Sequence, residues 1–156
     1  MNQAAEAIQA LGLTQPTQIC MVVRDLKVTT EYYQSRLSIG PFVFPQITFT
    51  DVMYHGRPAA GYWEMAFARM GHFELELVCP LRSPSIYEDF LASKGEGLHH
   101  LGFDVPSLDD VLKRATRLGI AVLMQGRTPA GGFAHLDTTR VGGTILEAIQ
   151  RAAPRV

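Results

Sequence analysis

The chain has 156 residues, of which 47% are hydrophobic and 19% are charged, and its formal net charge is -1. This length and composition suit one folded domain with a sizeable core and argue against disorder. Because the basic residues are scattered and balanced by acidic ones, we expect a small-molecule partner and neither nucleic acid nor a membrane surface. The two cysteines lie in strand-like runs and no signal-peptide or transmembrane pattern is evident, which predicts a cytoplasmic protein.

The first half of the chain predicts a strand, a helix and then three more strands. Residues 1–14 are interpreted as an N-terminal appendage, with helical character as far as Leu11 and a stop at Gly12. Alternating apolar residues on both sides of Gly71 indicate a hairpin. The predicted elements are a strand at 17–23, a helix at 28–37, one long strand at 42–54, and hairpin strands at 62–70 and 73–78.

The second half of the chain predicts the same order of elements. Ser107 is a typical helix N-cap, and acidic residues follow it in the first turn. The glycine- and proline-containing stretch 125–131 is expected to be a mobile loop near the ligand. A helix at 85–92 closes the first half, and the elements predicted after it are a strand at 100–105, a helix at 107–118, and strands at 121–124, 132–137 and 144–149. The chain therefore divides into two βαβββ modules, at about 15–93 and 97–150.

A polar residue opens the first strand of each module, namely Gln18 in the first and His100 in the second. Each module is too small to bury its own sheet face, so the two faces are expected to pair in an α+β fold. Glu76 and Glu147 lie in the last strand of each module. The side chains of these four residues are therefore expected to converge between the modules.

The four converging side chains offer one amide oxygen, two carboxylates and one imidazole. Such a mixed oxygen and nitrogen donor set suits a divalent metal ion with positions left open for water or substrate. The donor set alone does not distinguish Zn, Ni, Co, Mn or Mg. Glu74 shares a strand face with Glu76 and is the alternative ligand, because a shift of two residues would exchange them.

Three motifs give the chain a resemblance to the vicinal oxygen chelate superfamily, which includes glyoxalase I, methylmalonyl-CoA epimerase, extradiol dioxygenases and bleomycin-resistance proteins. These motifs are Gly97-Leu98-His99-His100, Glu76-Leu77-Val78-Cys79-Pro80-Leu81 and Gly143-Thr144-Ile145-Leu146-Glu147. The resemblance covers roughly residues 15 to 150 and implies a half-barrel cleft with its metal at Gln18, Glu76, His100 and Glu147. An epimerase normally has histidine where this chain has Gln18, whereas the full set is similar to that of some glyoxalase I enzymes.

The resemblance also implies a proton-transferring glutamate at Glu64, within Gly61-Tyr62-Trp63-Glu64-Met65. Glu64 lies twelve positions before Glu76, and His135 lies twelve positions before Glu147. Glu64 and His135 are therefore expected to face the metal from opposite modules, and Glu147 is a further candidate base. The expected reaction is removal of a proton next to a metal-bound carbonyl, as in an epimerase, isomerase or lyase.

The substrate is expected to be a small molecule with a carbonyl or vicinal oxygens, in contact with Tyr54, Trp63 and Phe133. An alternative function is a binding module that sequesters an aromatic drug, as resistance proteins of this superfamily do. An extradiol dioxygenase is less favoured, because its iron takes two histidines and one carboxylate and only His100 is placed as a ligand. His99 is expected to point away from His100, and the active unit is expected to be a homodimer.

Overall fold

The computed structural model describes residues 10–82, 84–140 and 142–151, which contain nine strands and three helices. The helices are α1 (Leu26–Leu37), α2 (Ile86–Lys94) and α3 (Leu108–Arg117). The strands are β1 (Gln18–Val22), β2 (Thr50–Tyr54), β3 (Arg57–Pro58), β4 (Tyr62–Met70), β5 (Phe73–Arg82), β6 (Gly97–Asp104), β7 (Val122–Thr128), β8 (Gly131–Leu136) and β9 (Ile145–Gln150).

All nine strands belong to one curled sheet with the order β3-β2-β7-β8-β9-β6-β1-β5-β4. The antiparallel pair β1 and β6 lies at its centre and joins the two halves of the chain. In each half the first strand runs parallel to the last one, β1 beside β5 and β6 beside β9. This half-barrel confirms the α+β fold class.

Each helix begins at a polar N-cap whose side chain accepts a hydrogen bond from a backbone N–H of the first turn. The caps are Asp25, Ser85 and Ser107. The apolar face of α3, with Leu108 and Val111, packs on β8 and β9, while α1 packs on β4 and β5. Among the described residues, no helix is both long and apolar enough to cross a membrane.

The prediction of one long strand at 42–54 is wrong. Only Thr50–Tyr54 is a strand, and it pairs with β7, at the far side of the sheet from β4. Val43 forms an isolated bridge with Phe67 on β4. Pro45 lies between these two contacts and cannot donate to a strand ladder, so the chain leaves β4 there. Residues 43–50, named here the crossing segment, therefore link the two halves of the sheet.

Two predicted interruptions of the sheet are also wrong. The stretch 125–131 was expected to be a mobile loop, but β7 continues to Thr128 and turns directly into β8. A Cβ on Gly132 would lie 2.3 Å from the Gly126 carbonyl oxygen, so glycine permits this close strand approach. Strand β5 likewise continues past Pro80, which lies beyond the last pair with β1, Val22 with Val78. The helix expected in residues 1–14 lies mostly outside the described residues.

Candidate metal centre and its cavity

Four polar side chains meet on neighbouring strands at the centre of the sheet. The Nε2 atom of His100 lies 3.0 Å from Oε2 of Glu147, 3.4 Å from Oε2 of Glu76 and 3.4 Å from Oε1 of Gln18. All four side chains are buried, His100 completely. The structure thus brings together the four residues that the sequence singled out as metal ligands.

The register of the sheet explains why these side chains converge. Gln18 is paired with Glu74, so Glu76 lies two residues further along β5. In the second half Glu147 lies two residues beyond the β9 partner of His100. Since a shift of two residues keeps a side chain on the same face, both carboxylates face the same enclosed space. Glu76, and not Glu74, is therefore the residue of the first half that corresponds to Glu147 in the second half.

The distances from His100 Nε2 to the other three donor atoms are compatible with one divalent ion. Ligands at about 2.1 Å from a metal are about 3.0 Å apart at right angles and about 3.4 Å apart in a tetrahedron, the range seen around His100 Nε2. Oε2 of Glu76 is buried and has no hydrogen-bond partner. A buried carboxylate oxygen without a hydrogen bond is costly unless a cation or donor satisfies it. These residues therefore fit a divalent metal.

The charges of the group support its role as a cation site. Burial alone would lower the pKa of the His100 imidazole, but Cys20 and Glu147 beside it outweigh burial and hold the pKa well above its usual value. Burial raises the pKa of the Glu147 carboxyl, and His100 opposes that rise. With two carboxylates against one imidazole, the group has an excess of buried negative charge that a divalent cation would neutralise.

His135 lies on β8 directly opposite Glu147. Its Nε2 is 3.4 Å from Oε1 of Glu147 and 3.5 Å from the hydroxyl of Tyr87, and its ring centroid is 4.6 Å from that of His100. Burial lowers the pKa of His135 well below its usual value, and the positive charge of His100 adds to this. Glu147 therefore lies between a cationic and a neutral imidazole.

Glu64 does not join this group, and the expectation that it faces the same cavity is wrong. It is paired with Cys79, whose side chain packs in the core beside α1, and it lines an outer cavity against that helix. The residue opposite Glu76 is Phe67, nine positions earlier, whereas His135 is twelve positions before Glu147. Two residues connect β4 to β5 but eight connect β8 to β9, so equal sequence spacing gives different registers.

His99 is buried against His100 and does not point away from it. Cys20 is paired with His100 and the next residue of β1 is paired with Leu98, which leaves His99 as the extra residue of a β-bulge. The two Nδ1 atoms of His99 and His100 are 2.8 Å apart, so one imidazole donates to the other. Burial, together with the charge of His100, lowers the pKa of His99 to about 3.

A cavity of about 170 Å³ opens directly above the polar group. Gln18, Glu76 and Glu147 form its polar floor, and aromatic and aliphatic side chains form its walls. Its apolar lining consists of Ile47, Phe49, Trp63, Met65, Phe67, Tyr87, Phe133 and Ile149. The expected contacts Trp63 and Phe133 thus line the cavity. Tyr54 does not, because its hydroxyl donates to Asp89 on α2.

Three further residues at the site were not identified from the sequence. Tyr87 is buried on α2 between Trp63 and His135. Arg151 lies at the cavity rim and follows the last predicted strand. Gly102 faces Gln18 across β1 and β6, and its position two residues after His100 was an available signal.

A curled sheet with helices packed on it, and with one amide, two carboxylates and one imidazole at its centre, is characteristic of the glyoxalase-like folds. A family model described as the Glyoxalase/Bleomycin resistance protein/Dioxygenase superfamily matches residues 17–136. The chain belongs to this superfamily, which confirms the resemblance seen in the sequence. No curated protein sequence matches the chain significantly.

Solved methylmalonyl-CoA epimerases share the fold. The enzyme from Mycobacterium tuberculosis is 20% identical, with a TM-score of 0.68 and 90% of each chain covered. A Streptomyces coelicolor methylmalonyl-CoA epimerase variant in complex with 2-nitronate-propionyl-CoA is 23% identical, with a TM-score of 0.71, and covers 90% of this chain and 99% of its own. At these identities the similarity establishes the fold.

Proposed function

We propose that the protein is a divalent-metal-dependent enzyme that removes a proton from the carbon next to a carbonyl group, as an epimerase, an isomerase or a lyase. The observation that carries this proposal is the convergence of Gln18, Glu76, His100 and Glu147 at the floor of an apolar cavity. These residues would hold the ion. When bound, it would polarise the carbonyl and make the neighbouring C–H more acidic.

The remaining side chains can hold the substrate and move the proton. Trp63 and Phe133 exclude water from the cavity and pack on the apolar part of the substrate. Glu147 is the proposed base, because burial raises the pKa of its carboxyl and so makes it a stronger proton acceptor. His135, neutral and next to Oε1 of Glu147, can accept the proton or return it. Glu64 has no role in this mechanism.

The test is hydrogen exchange in deuterated water, followed by proton NMR with and without added metal. The carbonyl compounds to be used are 2-methyl-branched acyl-CoA thioesters and glutathione hemithioacetals. We expect exchange next to the carbonyl that requires metal and falls by about 100- to 10,000-fold in His135→Asn. The matched control is Glu64→Gln, which removes a carboxylate from the opposite face and should leave exchange unchanged. A sharp fall in Glu64→Gln would contradict the assignment of the base.

A second candidate activity follows from the position of His135. Donor atoms of His100, His135 and Glu147 all lie within 4.8 Å of one another, so two histidines and one carboxylate are available. This is the donor set of non-haem iron oxygenases. It therefore supports an extradiol dioxygenase as the second candidate activity. Metal-dependent oxygen consumption with Fe²⁺ and a catechol, measured with an oxygen electrode, would favour it over proton transfer.

The drug-binding alternative makes a different prediction. A sequestering module would bind aromatic compounds in the cavity with no metal requirement and no turnover. Metal analysis of protein purified without chelator, compared with His100→Ala, separates the two functions.

We also expect a homodimer, which sedimentation equilibrium would establish.

A further inference from the structure

Gln18 is the one proposed metal ligand whose side chain has two chemically different ends. Its Oε1 atom can coordinate a cation, whereas its NH₂ group can only donate hydrogen bonds. A turn of the amide by 180° would present the wrong end to the metal. Some other group must therefore fix its orientation for Gln18 to serve as a ligand.

Glu74 is the residue in position to do this. The Nε2 atom of Gln18 donates to Oε1 of Glu74 at 2.9 Å, which leaves Oε1 of Gln18 toward His100 Nε2 at 3.4 Å. Gln18 is only 3% exposed, so water has little access to replace this contact. A carboxylate accepts hydrogen bonds and cannot donate them when ionised, so it selects one of the two amide orientations.

Arg151 holds Glu74 in its position. Its Nη2 donates to the same Oε1 of Glu74 at 2.6 Å, and its Nε donates to Oδ1 of Asp104 at 2.7 Å. Arg151 follows β9, Asp104 ends β6 and Glu74 is the second residue of β5, so these contacts link three strands of the sheet. Oε1 of Glu74 therefore accepts from Arg151 and from Gln18 together.

We propose that Glu74 is a positioning residue, which orients the Gln18 amide so that its oxygen faces the metal centre. This inference rests on the metal site of the proposed function and adds a residue that does not touch the ion. Partners of metal ligands typically change metal affinity by about 10- to 100-fold when they are lost. Glu74→Gln keeps the shape of the side chain but can both donate and accept, so both Gln18 orientations become possible.

The experiment measures the Zn²⁺ dissociation constant of metal-free protein by competition with a chromophoric chelator. We expect Glu74→Gln to weaken Zn²⁺ binding by about 10-fold or more. The matched control is Glu31→Gln, which removes one negative charge from the exposed face of α1 and should leave the constant unchanged. Equal affinity in Glu74→Gln and the unmodified protein would overturn the positioning role.

A second background separates orientation from simple loss of negative charge. In Gln18→Glu both ends of the side chain are oxygen, so no orienting acceptor is needed, and the Glu74 carboxylate would repel the new one. We therefore expect Glu74→Gln to strengthen Zn²⁺ binding in the Gln18→Glu background. Weakening by the same factor in both backgrounds would overturn the proposal in favour of general electrostatics. If the unmodified protein binds no metal at all, the proposed function itself fails, and the positioning role fails with it.

Discussion

Gly102 lies at the metal centre, and the absence of a side chain there leaves room for Gln18. It faces Gln18 across the two central strands. A Cβ at this position would lie 2.8 Å from Oε1 and 2.9 Å from Cβ of Gln18, and 2.8 Å from Cδ1 of Ile149. The amide end could rotate away, but Cβ of Gln18 is held by the strand. The space above Gly102 is thus the space that the Gln18 side chain occupies.

Substitution Gly102→Ala should therefore act on metal binding through Gln18. We expect Zn²⁺ affinity to fall by about 10-fold or more, because the added methyl group displaces the amide from the other donors. Calorimetric titration of metal-free protein measures this.

Gly126→Ala is the matched control. Its added Cβ would meet the Phe133 ring at 2.7 Å and lies away from the metal donors. It should therefore narrow the cavity while leaving Zn²⁺ affinity unchanged. Equal losses of affinity in the two variants would contradict this assignment.

The crossing segment contributes Phe49 to the wall of the cavity. Phe49 stacks on Trp63 with ring centroids 5.6 Å apart and meets the Phe133 ring edge-on at 4.9 Å. Phe49 therefore forms part of the aromatic wall of the cavity. Trp63 is the only tryptophan in the chain, so tryptophan fluorescence reports on the surroundings of this one side chain.

Removal of the Phe49 ring should expose Trp63 to water. We expect Phe49→Ala to shift the emission maximum to longer wavelength, to increase quenching by acrylamide, and to destabilise the fold by about 1–3 kcal/mol because the ring is only partly buried. Phe44→Ala on the same segment is the control, since Phe44 is 54% exposed and contributes no ring contact to the wall. An unchanged emission maximum in Phe49→Ala would show that the wall does not depend on this segment.

Strand β2 is tied to α2 by the hydrogen bond from Tyr54 to Asp89, which gives a pH-dependent test. This bond, with smaller effects of burial and of the Asp89 charge, raises the pKa of Tyr54 to about 12. The raised pKa means that the bond stabilises the fold below about pH 10 and is lost as the pH rises toward 12. In Asp89→Asn the pKa should move back toward about 10. The pKa of Tyr54 is measured from the pH dependence of the absorbance at 295 nm, after subtraction of the same titration in Tyr54→Phe. The same titration midpoint with and without Asp89→Asn would contradict the contact.

The elements that local patterns define were predictable from the sequence, and those defined by distant partners were not. Helix α3 and the hairpin of β4 and β5 follow from capping, periodicity and glycine, and the strands of the metal ligands follow from the internal repeat. The crossing segment and the bulge at His99 depend on which strand lies alongside, which no local pattern specifies. Glu64 was placed by the resemblance and supported by its twelve-residue spacing from Glu76, which matches that of His135 from Glu147. The connections within the two halves differ in length, so the same spacing puts His135 on the cavity face and Glu64 on the other.

The metal centre lies where the two halves of the chain meet. Gln18 and Glu76 come from the first half, and His100 and Glu147 come from the second. A ligand that binds only the folded state stabilises it by about 2.7 kcal/mol at 100 times its dissociation constant. Binding at this junction would therefore hold both halves together, and a divalent cation would balance the two carboxylates that share the His100 imidazole.

We therefore expect one substitution at the metal centre to stabilise the metal-free protein and to reduce the stabilisation that metal gives. Glu76→Gln removes one of the two buried carboxylates that share the His100 imidazole and leaves the closer one, Glu147, paired with it, so the metal-free protein should gain about 1 kcal/mol or more of stability and melt about 2–4 °C higher. The same variant loses a metal ligand, so its stabilisation by saturating Zn²⁺ should be smaller than that of the unmodified protein. Thermal unfolding with excess chelator and with excess Zn²⁺ measures both effects. A lower melting temperature in both conditions would mean that the Glu76 carboxylate is satisfied within the protein, and that its place at the centre is structural.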